Sequence, residues 1–533
     1  MRFPHGRDGG RVLRGLTQAP RVWYNSGMKT HLATLSAIGC GALFAAAPVG
    51  YEQFGAKGDG KSDDRAAIVA AHEAANKSGA PVRARDGATY YVGGGEGVAV
   101  VRTDVDFGKA KFVIDDTEVK NINSPLFRIE AGSASFAVKG VSSLAKGQAS
   151  LGASLPSDCL VHVVDDKVKR YIRFGPNQDG GHPQQEVFLV SKAGKIDPKT
   201  PVIWDYPEIT RIEAFPVDRA PLSVKGGTFV TIANRAESKY RYHNRGIVVN
   251  RSNVTISGLR HEVVGELDHG APYSGFVSVS QCANVTLRGC VLCGHRTYTT
   301  IGSGKVPVPM GSYDLGVGNA VNVSFVDCRQ LRDVNDGRYW GIFGSNYCKN
   351  LLFDGCEFSR FDAHMGVANA TIRNSKLGYM GIHAIGCGTF LVENTTVSAN
   401  CFVELRADYG STWDGDFVIR NCTFVPHAGR PKAGSLFTGR NDGQHDFGYV
   451  CRMPRRITID GLFVDDGNHP ARYEGPDIFG TFNGKMKDAS YVEKFPYVTT
   501  EEVVLSNVRT ASGRPLDIRA NKWMFRNVKV TRR

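Results

Sequence analysis

The chain has 533 residues, of which 42% are hydrophobic and 62 are glycine, and its formal net charge is +13 at pH 7. The length allows several domains, although a solenoid grows along one dimension without them, and the glycine content suits a β protein rich in turns. Apart from one segment near the start, no stretch is apolar enough to span a membrane. A net positive charge favours binding to polyanions. The alternative interpretation is a basic surface that serves only solubility.

The first 47 residues are predicted to be removed. Met28, Lys29 and His31 precede an apolar run, LATLSAIGCGALFAAA (32–47), which ends in small residues and predicts a secretory signal peptide over 28–47. Residues 1–27 are interpreted as an over-extended N-terminus, with Met28 as the true initiator. Because residues 1–47 hold six Lys or Arg and one Asp, about +8 of the charge stays on the mature chain. We expect a secreted or periplasmic protein whose partner is an acidic polysaccharide, with no nucleic acid and no membrane span.

A short helix is predicted directly after this segment, in FGAKGDGKSDDRAAIVAAHEAANKSG (54–79). Ser62 or Asp63 suits the helix start, where backbone N–H groups lack partners. Four residues spaced i, i+3, i+4 and i+7 form one face: Ile68, Ala71, His72 and Ala75. Gly79 suits the helix end because glycine adopts positive φ without strain.

From residue 253 one phrase recurs, as in NVTISGL (253–259), NVTLRGCVL (284–292), NVSFVDCRQL (322–331) and NLLFDGCEF (350–358). Alternating apolar residues, then Gly or Asn, then renewed alternation predict strand, bend and strand. A second strand precedes each phrase, as in GFVSVS (275–280) and GIHAIG (381–386). Repeats with a period of roughly 20–50 residues indicate stacked structural units. We therefore predict three-sided coils of a parallel β-helix over 51–533. The region from about 161 to 233 breaks the pattern and is predicted to be a β insertion.

The cysteines follow the repeat. Four of them lie at equivalent positions of the phrase: Cys290, Cys328, Cys356 and Cys422. Equivalent positions of successive coils stack, so we expect a buried column of free thiols that pack as small apolar side chains. Cys290 and Cys293 form a CxxC motif, but the sequence contains no second cysteine pair or histidine set that would complete a zinc site with them.

The helical string at 54–79 resembles the opening of the pectate-lyase-like superfamily of right-handed parallel β-helix proteins. The segments VIWDYPEITRIEAFPVD (202–218) and GGTFVTIAN (226–234) look like segments of bacterial polysaccharide-degrading β-helix proteins. The resemblance implies an all-β fold, a right-handed parallel β-helix with an N-terminal capping α-helix. It does not fix the activity, because this fold hosts lyases, hydrolases, epimerases and phage tailspikes. The signal peptide disfavours a tailspike.

Candidate site residues cluster where the repeat is shortest. Alternate residues of a strand point outward, and those of successive coils line up in a groove. Polysaccharide cleavage needs a base near neutral pH and arginine for an acidic group. We predict as catalytic residues His364, His383, Arg338 and Tyr339. We predict as substrate-binding residues Asp336, Trp340, Asp362, Glu404, Arg406, Asp408, Tyr242 and His295.

Three functions remain open from the sequence. The His, Arg and Tyr set favours a lyase that cleaves an acidic polysaccharide by β-elimination. Paired carboxylates would instead serve a glycoside hydrolase, although the polygalacturonase-type signature is absent. A non-catalytic carbohydrate-binding solenoid is the third possibility. No metal or other cofactor is predicted, since no motif supports calcium, and the sequence leaves monomer and homo-oligomer open.

Overall fold

The computed structural model describes residues 47–533, except for 428–433, 441–442, 470–471, 481, 483–484, 486–489, 496, 519–522 and 524–526. The predicted signal peptide therefore lies outside the described residues, apart from Ala47. The described chain is dominated by a parallel sheet of 27 strands, which winds into a solenoid. This confirms the predicted fold, a right-handed parallel β-helix with a helix at its N-terminal end. No helix among the described residues is long and apolar enough to cross a bilayer.

Each coil passes three faces in the order C, A and B. Face A contains Val82–Arg83, Val254–Ser257, Ala283–Arg288, Val321–Val326, Lys349–Asp354 and Lys529–Arg532. Face B contains Asp59–Asp63, Thr89–Val92, Arg260–Val264, Val291–Leu292, Arg329–Gln330 and Thr396–Ala399. Face C contains Ala99–Val101, Phe127–Glu130, Ile247–Asn250, Val277–Ser280, Leu315–Gly318, Phe343–Asn346, Val403–Leu405 and Phe437–Thr438.

Longer strands continue around the corners. Five turn from face A to face B: Val105–Asp115, Leu222–Ile232, Trp413–Pro426, Arg456–Val464 and Glu502–Thr510. Two run through B, C and A: Glu357–Arg373 and Lys376–Glu393. Outside the solenoid sheet lie a hairpin of Tyr298–Ile301 and Pro307–Met310 and two 3₁₀ turns, Tyr51–Phe54 and Ala407–Tyr409.

Asparagine ladders explain the repeated phrase. The Asn that opens each phrase has a φ of 56–60°. Its side-chain amide donates to the Asn of the previous coil at 2.9–3.1 Å, which links Asn253, Asn284, Asn322, Asn350 and Asn369. The bend from face A to face B also has positive φ, 64° at Gly258 and 52° at Asn374, which confirms the predicted reason for Gly and Asn there.

The core is a continuous stack of inward-facing side chains. The predicted thiol column is confirmed, because Cys290, Cys328, Cys356 and Cys422 are all free and buried. They lie at the start of the strands of face B and fill the space that an apolar residue would otherwise occupy. The interior of the solenoid is therefore a packed core and offers no binding cavity along this column.

The predicted capping helix is Arg65–Ser78, and its buried face includes Ile68, Ala71, His72 and Ala75. Gly79 ends it with a φ of 71°. The start differs in part from the prediction. Asp63 accepts the N–H of Arg65 at 3.0 Å, whereas the Ser62 hydroxyl donates to Asp59 and caps nothing.

The β insertion spans 131–221 rather than 161–233. Its antiparallel sheet consists of Phe136–Ala137, Arg211–Pro216, Cys159–Arg170 and His182–Val190. Residues 222–232, which were expected in the insertion, pair with the solenoid instead. The insertion is held on face A by a buried ion pair, in which Lys349 Nζ lies 2.6 Å from Glu186 Oε2. This anchorage fixes the loop that follows strand Cys159–Arg170 over face C.

Candidate active site

Three consecutive coils place polar side chains in one row on face C. Asp362 is in register with His383, and His383 is in register with Glu404. The residues that flank each of them on the same strand point into the core. Since neighbouring strands are about 4.8 Å apart, the three side chains form a row that crosses the coils. His383 Nδ1 lies 3.7 Å from Glu404 Oε2.

Guanidinium and carboxylate groups alternate beside this row. Asp362 lies 2.8 Å from the guanidinium of Arg360 and 3.5 Å from that of Arg406. Asp408 lies 2.9 Å from Arg406 and 2.7 Å from Arg173, which comes from the β insertion. The cluster thus contains three cations against two paired anions, so its charge depends on Glu404.

Glu404 differs from Asp362 and Asp408 in having no arginine or lysine partner among the described residues. Its side chain is 42% exposed. The surrounding side chains still remove part of its water, and this burial, which outweighs the effect of Arg406 and Arg360, raises the pKa of Glu404. Burial opposes the ionisation of Asp408 too, but Arg406 and Arg173 outweigh it and hold the pKa of Asp408 below its ordinary value. Neighbouring carboxyl groups are therefore biased towards opposite protonation states.

Both histidines of this region are neutral near pH 7. Burial first, and then the charges of Arg360 and Arg406, hold the pKa of His383 well below its ordinary value. The pKa of His364 is lowered by burial and by Arg406 and Arg173. A neutral imidazole can accept a proton, so each ring carries a lone pair that is available as a base.

The imidazole rings of His364 and His383 differ in the hydrogen bonds that their nitrogens form. His364 Nδ1 lies 2.8 Å from Asn346 Oδ1, so this nitrogen carries the proton and donates it. Its Nε2 lies 3.5 Å from the hydroxyl of Tyr409, whose ring is buried. His383 Nδ1 has no hydrogen bond among the described residues. His383 Nδ1 is therefore an unpaired nitrogen buried beside Glu404, and the 11% of the side chain that stays exposed belongs to its other atoms.

A groove of about 450 Å³ extends from His364 along face C. Its floor consists of small residues such as Gly316, Gly344 and Ser278, and Tyr242 and Tyr313 line it. Gly344 is required here, because a Cβ atom on it would lie 2.9 Å from the Tyr313 ring. The floor of the groove therefore has no large side chains between these two tyrosines.

The loop 171–181, here called the bridging loop, joins the β insertion to this groove. Arg173 pairs with Asp408 at one end, and Asn177 Nδ2 donates to the Tyr240 hydroxyl at 2.8 Å farther along. Ser303 donates to the carbonyl of Gln178. The bridging loop thus contacts solenoid loops that are far apart in sequence.

The structure brings together most of the predicted site residues. His364, His383, Asp362, Glu404, Arg406 and Asp408 form the cluster described above, and Tyr242 lines the groove. Trp340 joins them through Arg360, whose guanidinium lies 5.3 Å from the centre of its ring. What the sequence cannot give is the function of each residue within this cluster.

Four predicted residues lie elsewhere. Asp336, Arg338 and Tyr339 were expected on an outward strand, but they lie on the loop before Phe343–Asn346. Arg338 is 78% exposed and pairs with Asp336, and Tyr339 is bound by Arg332 at 2.6 Å. These three residues flank the cluster and do not face His383. The fourth, His295, is 1% exposed and lies between Asp314 and Glu266, so a substrate has no access to it.

Sequence reasoning missed Arg173 and Tyr313. Arg173 belongs to the β insertion, where the repeat gives no register, and it reaches Asp408 across 235 positions. Tyr313 precedes a strand of face C without any pattern that sets it apart. Burial raises its pKa, which the nearby Arg360 opposes and Asp362 reinforces, so it lies beside the charged cluster. Alignment of the strands of face C would have placed Tyr313 in the groove. Nothing in the sequence would have placed Arg173 beside the charged cluster.

No family model matches the chain. It is similar to a capsule KL64-specific depolymerase of Klebsiella phage P510, with 28% identity over 115 residues, which make up 19% of this chain and 11% of that protein. The matching part therefore spans about a tenth of the depolymerase.

The fold is similar to that of tailspike gp61 of Pseudomonas phage phi297, with a TM-score of 0.50 and 15% identity over 91% of this chain and 83% of that one. This likeness shows the fold alone, a parallel β-helix. The surface protein and adhesin PfbA of Streptococcus pneumoniae superposes with a TM-score of 0.45 and 12% identity, over 89% of this chain and 100% of that one. At such identities the likeness concerns architecture and not activity.

Proposed function

We propose that this protein is a polysaccharide-degrading enzyme that cleaves an acidic, uronate-containing polysaccharide by β-elimination. The similar phage protein is named as a capsule depolymerase, which supports a polysaccharide as substrate. The site supports the chemistry, through the pairing of a neutral His383 with Glu404. We further propose that the enzyme acts outside the cytoplasm, because the apolar segment 32–47 has the features of a signal peptide.

The observation that carries the proposal is the state of the carboxyl groups. A glycoside hydrolase of the usual kind needs two accessible carboxyl groups, one as acid and one as base or nucleophile. Here Asp362 is fully buried and paired with Arg360, and Asp408 is paired with two arginines. Only Glu404 remains for acid chemistry, and its partner across 3.7 Å is an imidazole. A base and an acid side by side suit elimination better than displacement.

The mechanism follows from these positions. The arginine cluster, which carries an excess positive charge when Glu404 is protonated, stabilises the uronate carboxylate and the negative charge that develops on it. His383 removes the proton from C5 of the uronate. The C5–H electron pair forms the C4=C5 double bond as the C4–O bond breaks, and Glu404 gives its proton to the leaving oxygen. His364 and Tyr242 border the bound sugars, and Arg338 and Tyr339 have no catalytic function in this scheme.

The test is the ultraviolet absorbance of the unsaturated uronate, followed over time with hyaluronan, chondroitin sulfate, alginate, pectate and a glucuronan as substrates. We expect an increase with at least one of them, and none after His383→Ala. Arg329→Gln, a change of an exposed residue of face B, is the control and retains the wild-type rate. New reducing ends without absorbance would refute elimination and indicate hydrolysis. Neither signal on any substrate would refute the proposed enzyme.

A further inference from the structure

A second cavity lies between the β insertion and the solenoid, away from the row of His383. Its volume is about 600 Å³, within the range of roughly 300–1,000 Å³ that small-molecule sites occupy. Residues 201–205 of the insertion form one side, and the corner from face C to face A forms the other. We call it the side pocket, and no step of the elimination uses it.

The lining of the side pocket combines aromatic rings with cationic groups. Trp204 and Tyr449 line it, and their ring centres are 6.4 Å apart. The guanidinium of Arg170 stacks on Trp204 at 4.5 Å and is held by Gln184 Oε1 at 2.7 Å. The aromatic face is therefore presented in one fixed orientation before any ligand binds, which lowers the entropic cost of binding.

Charge in the side pocket is unbalanced. Asp414 is shared between Lys146 at 3.7 Å and Arg452 at 3.8 Å, both of which are at least 42% exposed. With Arg170 and Asp205, the lining carries three cationic and two anionic side chains. The long, solvated ion pairs leave N–H donors free for a ligand anion.

The floor of the side pocket is open backbone. Gly366, Gly386 and Gly388 line it, and a Cβ atom on any of them would collide with neighbouring protein atoms at 1.9–2.6 Å. A ligand there would lie close to the active site, since Tyr171 lines the side pocket and its ring centre is 6.1 Å from that of Tyr409, which faces His364. The rings of Tyr171 and Tyr409 thus lie between the side pocket and His364.

We infer that the side pocket is a second saccharide-binding site, which holds an anionic sugar of the polymer by stacking on Trp204 and by ion pairing with Lys146 and Arg452. The ligand class rests on the proposed function. The site would keep a long chain attached between cleavage events, so it affects polymers more than short fragments.

Affinity electrophoresis tests the inference without turnover. The protein is run through native gels that contain alginate, hyaluronan or pectate, with dextran as a neutral gel. We expect retardation by at least one acidic polymer and not by dextran, and an affinity about tenfold weaker for Trp204→Ala, as for the loss of an anchoring aromatic residue. Arg452→Gln, an exposed change that spares folding, should weaken binding too.

Phe54→Ala and Arg329→Gln are the matched controls, an exposed aromatic residue and an exposed arginine outside the side pocket. Both should migrate as the wild type does. Wild-type retardation of both Trp204→Ala and Arg452→Gln, or no retardation of the wild type by any acidic polymer, would overturn the inference. Retardation that depends on Trp204, in a protein that cleaves none of the polymers, would refute the proposed enzyme and leave the second site standing.

Discussion

Replacement of Glu404 by glutamine examines the proposed acid most directly. Glutamine has nearly the same shape but cannot give a proton to the leaving oxygen. General acid catalysis contributes about 10²–10⁴-fold to a rate, so we expect kcat/KM to decrease by that factor. In terms of the barrier this is roughly 3–5 kcal/mol, since each factor of ten corresponds to about 1.36 kcal/mol.

The same change should leave stability almost untouched. The Glu404 side chain is 42% exposed, and among the described residues no arginine or lysine pairs with it, its neighbour at 3.7 Å being the neutral imidazole of His383. Surface changes of this kind shift the free energy of unfolding by about 0.5 kcal/mol or less. Urea unfolding of both proteins therefore provides the control, and equal midpoints would assign the lost activity to chemistry.

The pH profile sharpens the test. Because the pKa of Glu404 is raised, its protonated form persists to higher pH than that of an ordinary glutamate, and the wild-type rate is lost as the pH rises through that raised value. Because the pKa of His383 is lowered, its base form persists to lower pH. Glu404→Gln should lose the decline at high pH and keep the one at low pH. A kcat/KM within tenfold of the wild type, or an unchanged decline at high pH, would refute the assignment of Glu404 as the acid.

The other predictions concern the base, the anchorage of the insertion and the thiols. His383→Ala should lower kcat by about 10²–10⁴-fold with an unchanged melting temperature, and a smaller loss measured by initial rates would exclude it as the base. Lys349→Ala should cost about 3–5 kcal/mol in urea unfolding, because it leaves the buried Glu186 unpaired, whereas Lys376→Ala, which breaks a half-exposed pair, should cost under about 1 kcal/mol. Equal losses would contradict this reading. Nine of the eleven described cysteines are buried, so a thiol reagent should label these nine only after denaturation. Cys387 and Cys401 are partly exposed, so rapid labelling at more than these two described cysteines in the native protein would show that buried thiols are accessible.

The solenoid was predictable because its determinants are local and repeated. Each phrase carries its own bend residue and its own alternation, so counting along the strands gives the stacked coils, but it leaves the register that aligns Asp362, His383 and Glu404 open by one residue. The same counting failed at Arg338 and Tyr339, because a loop replaces the strand there and alternation has no meaning in it. The insertion was misplaced at both ends for a related reason, since residues 222–232 have the composition of either sheet and only their pairing with 105–115 decides.

Contacts between the insertion and the solenoid could not be predicted at all. The pair of Arg173 and Asp408 joins residues that share no repeat, and its existence depends on the docking of a whole sheet through Lys349 and Glu186. Burial and neighbouring charge set the protonation of Glu404 and His383, and neither can be obtained from one strand alone. The sequence was thus sufficient to predict most residues of the site, but not the function of each residue within it.

The asparagine ladder makes the length of the groove a modular quantity. Each coil is joined to the next by the same side-chain amide and the same left-handed corner, from Asn253 to Asn369. Duplication of one coil would therefore lengthen face C by about 4.8 Å without altering the cross-section of the core. Duplication or loss of a coil is thus a direct evolutionary route to a longer or shorter face C that leaves the row of Asp362, His383 and Glu404 intact.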